Sequence, residues 1–346
     1  MKLVQFTHPA SGPQGPRLGL VSGTSVIDLT ATPSAPGSLF DLYYNHGGNR
    51  VGLEAAVDRL DITGAPALEL ADLLHELAPA EGARLLRPVS PPVGAPHKLR
   101  IWLAGVTHAD SAKLREIEAR QATGESVNVY DQKYRECQDG GIPELFAKTD
   151  PDALVGPGEP AIRPQDTMRL VPETELVTVY GLNSDGQVER LGYTGGNDYT
   201  DNGIEATNPL NLPQAKNWYG GCASLGPVFI TDSAFDDSEV TVSCEVVRNG
   251  ERVAYKEGKT GQQHLNMPDG LFHLERSLFN RLPLPEDTLQ LLYWGTPIVF
   301  AEGDLADGLQ DGDLVRMAFS GGIGPLANPV VAGSIPDQLT LLSRSN

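Results

Sequence analysis

Pro172-Glu173-Thr174-Glu175-Leu176-Val177-Thr178-Val179-Tyr180 is the stretch on which the reading of this chain turns. Its β-branched and apolar second half predicts a strand. Residues i and i+2 of a strand share a face, so Glu173 and Glu175 point the same way. Two carboxylates on one face repel each other, and neither is cheap to bury alone. A hard divalent cation resolves that conflict, and Asp198 can supply a third oxygen. Lys216 then adds positive charge for an anionic substrate. The competing reading is a solvated strand face on which the acids need no partner. Spacing alone leaves both open.

Composition narrows the class. A chain of 346 residues is long enough for one large domain and a small one. No apolar run of about 18 residues occurs, so no spanning helix and no membrane partner are expected. The start, Met1-Lys2-Leu3-Val4-Gln5-Phe6, reads as a strand and not as a secretory signal. The three cysteines, Cys137, Cys222 and Cys244, lack zinc spacing and fit a reducing cytoplasm. A net charge of -19 argues against nucleic acid, which requires a cationic face. That charge fits a salt-loving host or an ordinary acidic cytoplasmic enzyme. The 26 Lys and Arg residues favour the second.

Working outward from the acidic strand, Asn183-Ser184-Asp185-Gly186 turns the chain into a second strand over Gln187–Tyr193. Val240, Val242, Cys244 and Val246 alternate with polar residues, and Asn249-Gly250 turns into Arg252–Tyr255. Leu271, Leu274 and Leu278, with Phe272 and Phe279, form an apolar stripe at helical spacing that reads as core. Upstream, Leu99–Val106 is a buried strand, and a charged amphipathic helix with Leu114 and Ile117 is expected to run to about Ala122. Thr123–Gly141 is polar and turn-rich, either a loop near a site or a surface connection. Short strands at Lys2–Thr7, Arg17–Val21 and Ser25–Leu29, then helices at Ser38–Asn45, Leu53–Leu60 and Ala67–Leu77, suggest a small N-terminal unit. A Pro-rich passage over Arg87–Pro96, an extended linker or a strand edge, ends it. The expected division is 1–95 and 96–346. Strands without a βαβ rhythm indicate an α+β class.

Several activities lack support. Gly321-Gly322-Ile323-Gly324 has neither the spacing nor the following helix of a dinucleotide loop. No GxSxG elbow occurs. Among the histidines only His108, at the end of a buried strand, and His264 are candidates, and each reads more readily as a structural hydrogen-bonding residue. Three segments are richer in functional residue types than packing requires. Ile142–Thr149 sets Glu144 and Lys148 four apart. Leu191–Asp201 carries glycines that would let the backbone approach a metal or ligand. Asn208–Lys216 leads to Gly226-Pro227.

The order of these segments resembles the fumarylacetoacetate hydrolase superfamily. The resemblance rests on Glu173-Thr174-Glu175, Gly192-Tyr193-Thr194-Gly195-Gly196-Asn197-Asp198, Lys216 and Gly226-Pro227. It extends to Trp294-Gly295-Thr296-Pro297, Gly312-Asp313 and Gly322-Ile323-Gly324-Pro325-Leu326, and so spans about 99–335. Ile142–Lys148, Val155–Glu159 and Asn208–Lys216 look most like the branch that dehydrates 2-keto-3-deoxy sugar acids. Thr174 replaces the usual proline between the acids, and its side chain should face away. Tyr199-Thr200-Asp201-Asn202-Gly203 replaces the usual Val-Ser-Ala-Arg-Asp, which alters local substrate contacts. No His-Glu pair of the superfamily's hydrolases stands near His108.

The resemblance implies a mixed β-sandwich roll with a small N-terminal α+β domain. It implies Mg²⁺, or Mn²⁺, held by Glu173, Glu175 and Asp198. The implied substrate is a small 2-keto acid, chelated by its carboxylate and keto oxygen. Metal-stabilised loss of a C3 proton and elimination of the C4 hydroxyl would turn a 2-keto-3-deoxy-pentonate, arabinonate or xylonate, into 2,5-dioxopentanoate. Glu144 is the candidate acid/base. Lys216 would stabilise the enolate oxygen, Thr296 and backbone around Gly295 would bind the carboxylate, and Lys148 would assist. A homodimer or homotetramer is implied. Two other readings are an acylpyruvate or diketo-acid hydrolase and a non-catalytic sugar-acid binder.

Overall fold

A computed structural model describes residues 1–8, 15–31, 35–109 and 129–333. Two mixed sheets dominate it. The acidic stretch opens the Thr174–Leu182 strand, which pairs antiparallel with Val188–Asp198 through the expected turn. Val188–Asp198 pairs in turn with Phe229–Thr231, and Thr174–Leu182 with Leu289–Tyr293. Beyond Leu289–Tyr293 lie Leu99–Gly105, in parallel, and Glu144–Ala147, antiparallel at the sheet edge. The second sheet contains Val240–Arg248 and Glu251–Thr260, the pair that the Asn249-Gly250 turn predicts, with Leu314–Phe319, Gly324–Ala332 and Ala161–Arg163 beside them. The α+β class and the few helices are as the residues indicate.

Burial explains why the central strand lacks clean alternation. Every residue of Thr174–Tyr180 is buried, because both sheet faces are covered. Leu176 and Tyr180 pack in one hydrophobic cluster, and Val177 and Val179 in another. The solvated strand face is therefore not what surrounds Glu173 and Glu175. Leu271–Phe279 is the expected helix, burying Leu271, Leu274 and Leu278. Each such leucine contributes about 2 kcal/mol. Phe272 departs from the expectation. It is 57% exposed, on the far side of the helix beneath the Arg276 guanidinium.

The N-terminal strands form where the residues place them. Lys2–Thr7 pairs with Phe229–Thr231, so the first strands extend the larger sheet. Two expectations need correction. Ala67–Leu77 is not one helix: Ala67–Glu69 is a strand and only Leu70–Leu73 is helical. The open edge of Ser25–Asp28 captures Ala67–Glu69, and pairing overrides helical propensity. Thr123–Gly141 is not all loop, because Val129–Gln138 is an α-helix. Lys133 and Glu136 pair at 2.8 Å, and Asp131 and Arg135 at 2.7 Å, along its charged side. The helix expected near Leu114 and Ile117 lies outside the described residues, as does the start of Thr123–Gly141. Among the described residues no helix is long and apolar enough to cross a membrane.

Candidate metal centre

Glu173, Glu175 and Asp198 converge. One carboxylate oxygen from each lies within 4.8 Å of the other two, and all three residues are buried. The strand pair creates this meeting: Glu175 stands opposite Gly196, and Asp198 is the last residue of its strand. The two strand ends are tied by Asn197, whose Oδ1 accepts from the Glu173 backbone N–H at 2.7 Å. Asp198 N–H donates to the Glu173 carbonyl at 2.9 Å. Thr174, between the acids, turns its side chain away toward Cys244 of the second sheet.

Two buried lysines answer the acids. Lys216 Nζ donates to Asp198 Oδ2 at 2.5 Å, Thr200 Oγ1 at 2.8 Å and Glu173 Oε2 at 3.1 Å. Lys148 Nζ lies behind the cluster, with no exposed surface. It pairs with Asp198 Oδ1 and donates to the carbonyls of Lys216 and of Tyr199, the latter at 3.1 Å. Lys148 thus holds Asp198 and the backbone that carries Lys216, and it is not among the residues lining the cavity beside the acids.

Three carboxylates against two ammonium groups leave a negative excess. Glu175 carries it. Burial, then the charges of Asp198 and Glu173, push its carboxyl well above the usual range, opposed by Lys216 and the Gly295 N–H. Gly295 N donates to Glu175 Oε2 at 2.8 Å, while Glu175 Oε1 is buried without a hydrogen-bond partner. A buried, orphaned carboxylate oxygen beside two more carboxylates is the donor set of a hard oxygen-preferring dication. The residues fit magnesium or manganese.

The cavity beside the cluster has a volume of about 30 Å³, room for one or two waters. Glu173, Glu175, Lys216, Gly295 and Thr296 line it together with Glu144 and Phe146. Glu144 pairs with Gly105 across the strand edge, and its carboxylate lies over the bare Gly105 Cα, where a Cβ would meet it. Gly295 needs its positive φ of 85°, and a Cβ there would run into Thr107 and the Ala104 carbonyl. Thr296 Oγ1 reaches the carbonyls of Thr174 and Ile298 at 3.0 and 2.7 Å and accepts from the Ile298 N–H at 3.0 Å. Its hydroxyl is thus held by backbone.

Sequence reasoning assigned no role to Tyr130, Glu205 and Leu212, which also line the cavity. Glu205 is on the Asn202–Thr207 helix that follows the strand ending at Asp198, and no local signal in the sequence marks it as part of the site. The two candidate histidines stand apart. His108 is buried between Thr107 Oγ1 at 2.9 Å and Thr260 Oγ1 at 3.0 Å, and His264 reaches Glu239 at 3.0 Å. The glycines of Leu191–Asp201 also differ from expectation. A Cβ at Gly195 would strike the Phe319 ring, and one at Gly196 would strike Tyr293 and Val177. These glycines make room for packed side chains.

A sequence profile for the fumarylacetoacetate (FAA) hydrolase C-terminal domain matches residues 118–331. The chain belongs to the fumarylacetoacetate hydrolase family. Within this family it is 32% identical over 248 residues to the 2-dehydro-3-deoxy-D-arabinonate dehydratase of Saccharolobus solfataricus, covering 71% of this chain and 74% of that one. It is 33% identical over 262 residues to the probable 2-keto-3-deoxyxylonate dehydratase of Haloferax volcanii, covering 75% and 81%. The fold matches a solved 2-keto-3-deoxy-D-arabinonate dehydratase complexed with magnesium and 2,5-dioxopentanoate, with a TM-score of 0.67 at 23% identity. That match covers 97% of this chain and 100% of the other.

Proposed function

We propose that this protein is a magnesium-dependent hydro-lyase that converts a 2-keto-3-deoxy-pentonate, arabinonate or xylonate, to 2,5-dioxopentanoate. The observation that carries the reading is the buried Glu173–Glu175–Asp198 cluster with its orphaned Glu175 oxygen, beside a cavity that also contains Glu144 and Lys216. The two dehydratase relatives support the substrate class. Glu173, Glu175 and Asp198 would hold the dication, and its Lewis acidity would make the C3–H of a bound 2-keto acid acidic.

The side chains divide the remaining work. Glu144, half-buried over Gly105, moves a proton between C3 and the departing C4 hydroxyl, which leaves as water. Lys216 gives positive charge at the 2-keto oxygen. Thr296 and the backbone at Gly295 shape the end of the cavity that takes the carboxylate. Lys148 orients Asp198 and Lys216 from behind. A five-carbon acid needs more room than about two waters, so the cavity widens when substrate enters. We assign the enzyme to the cytoplasm as a homodimer or homotetramer, with 1–95 as its small N-terminal unit.

The test is turnover of purified, Mg²⁺-loaded protein against both pentonate isomers and an acylpyruvate. Semialdehyde formation that EDTA abolishes and Mg²⁺ or Mn²⁺ restores is the expected result. Cleavage of the acylpyruvate into two acids would instead make this a carbon–carbon hydrolase. Binding without turnover of any of the three would make it a sugar-acid binder.

A further inference from the structure

Glu205 lines the same cavity as Glu144, Glu173 and Lys216, yet water loss across C3 and C4 does not use it. It sits on the short Asn202–Thr207 helix that follows Asp198 and is only 4% exposed. The Tyr130 hydroxyl donates to its Oε1 at 3.3 Å. The Asn202 amide, turned so that its nitrogen faces the acid, donates to Oε2 at 3.1 Å, and its oxygen accepts from Arg169 Nη1 at 3.3 Å. Arg169 is itself anchored on the Phe300 carbonyl at 2.6 Å. A buried carboxylate is thus held in a fixed orientation at a cavity wall, where an unneeded charge is costly.

The reaction has a second half that needs such a group. Loss of water leaves the enone HOCH2–CH=CH–CO–COO⁻, which is not yet an aldehyde. To become 2,5-dioxopentanoate it gives up one hydrogen from C5 and the hydrogen of O5, and gains one each at C3 and C4. The C5–H electron pair forms a C4=C5 bond, the C3=C4 pair moves to C2=C3, and the charge reaches O2. Protonation at C3 restores the 2-keto group and leaves an enol at C4=C5. Protonation at C4 with loss of the O5 proton gives the aldehyde. Electrons and hydrogens balance within the molecule, and no oxidant is required. Glu144 and Lys216 serve C3 and the keto oxygen, so the C5 hydrogen calls for another base.

We propose that Glu205 is this second acid/base, removing a proton from C5 of the enone and returning one to C4. The assignment rests on the dehydratase reading above. Tyr130 and Asn202 are positioning residues that aim the carboxylate.

The test follows 2-keto-3-deoxy-pentonate by NMR with Mg²⁺-loaded wild type and Glu205→Gln. Wild type that fails to consume the pentonate would contradict the dehydratase reading itself. With wild type active, the variant is expected to lose water from the pentonate near the wild-type rate and to release 5-hydroxy-2-oxopent-3-enoate. Its formation of 2,5-dioxopentanoate should fall about 10²-fold or more. Unchanged aldehyde formation overturns the proposal, and so does loss of the water-eliminating step itself. Wild type given pentonate with one deuterium at C5, in each configuration, supplies a check that does not depend on the variant folding. Removal of one C5 hydrogen only is expected, and indiscriminate removal overturns the proposal.

Discussion

The Lys216 ammonium lies 2.5 Å from Asp198 Oδ2 and is nearly as buried as the carboxylate it meets. The pair also includes Glu173, so one lysine neutralises parts of two acids that sit beside a third. Removing one partner of a buried ion pair leaves an uncompensated charge. Lys216→Met is therefore expected to destabilise the metal-free protein by about 3–5 kcal/mol. Magnesium at about 100 times its dissociation constant should return roughly 2.7 kcal/mol. Urea unfolding midpoints with and without Mg²⁺ measure both, and a variant as stable as wild type without metal contradicts the arrangement.

Gly105 tests the place of Glu144. A Cβ at this position would meet the Glu144 carboxylate, the movable end of a flexible side chain, and not backbone. Gly105→Ala should therefore fold with little loss of stability while displacing the acid. We expect kcat to fall by about 10²-fold or more, with Mg²⁺ affinity unchanged in a calorimetric titration. Weakened metal binding with unchanged kcat would place the effect elsewhere.

Lys148 separates holding the metal centre from binding substrate. Its ammonium touches Asp198 and the backbone of Lys216 and Tyr199, with no exposed surface. Lys148→Met is expected to weaken Mg²⁺ binding about 10–100-fold, as loss of a ligand's outer hydrogen-bonding partner does. With saturating Mg²⁺ the KM for the keto acid should stay near wild type. A raised KM with intact metal affinity would return Lys148 to the substrate.

His108 sets an acid limit on stability. Burial, with a smaller effect of His264, depresses its imidazole from 6.5 to about 3. The unfolded chain takes up the proton near pH 6.5 and the folded chain only near pH 3. The stabilising contribution is thus whole above pH 6.5 and is lost as pH falls toward 3. The slope is at most about 1.4 kcal/mol per pH unit. His108→Gln removes this titration, so its unfolding free energy should vary less between pH 7 and pH 5 than that of wild type. Equal slopes would show that other groups set the limit.

Much of this was legible in the residues, and what was not has physical causes. The Glu173–Glu175 pair, the hairpin through Asn183-Ser184-Asp185-Gly186 and the Asn249-Gly250 turn depend on local spacing and turn chemistry, which a sequence displays. The fate of Ala67–Glu69 depends on an edge strand more than forty residues upstream in pairing register, which local propensity cannot display. Val129–Gln138 was hidden because charge pairs, not an apolar stripe, mark its helical period. The place of Lys148 behind Asp198 is a tertiary fact of the same kind: four residues from Glu144, it belongs to a different side of the acid cluster.

On the proposed function, the acid cluster serves carbon–oxygen and not carbon–carbon cleavage. The most direct measurement is a ¹³C NMR time course of uniformly labelled 2-keto-3-deoxy-pentonate with the Mg²⁺-loaded protein. The expected result is one five-carbon product, 2,5-dioxopentanoate, whose formation stops on chelation and resumes when Mg²⁺ returns. Two shorter fragments, or a substrate unchanged in the presence of Mg²⁺, would contradict the dehydratase assignment.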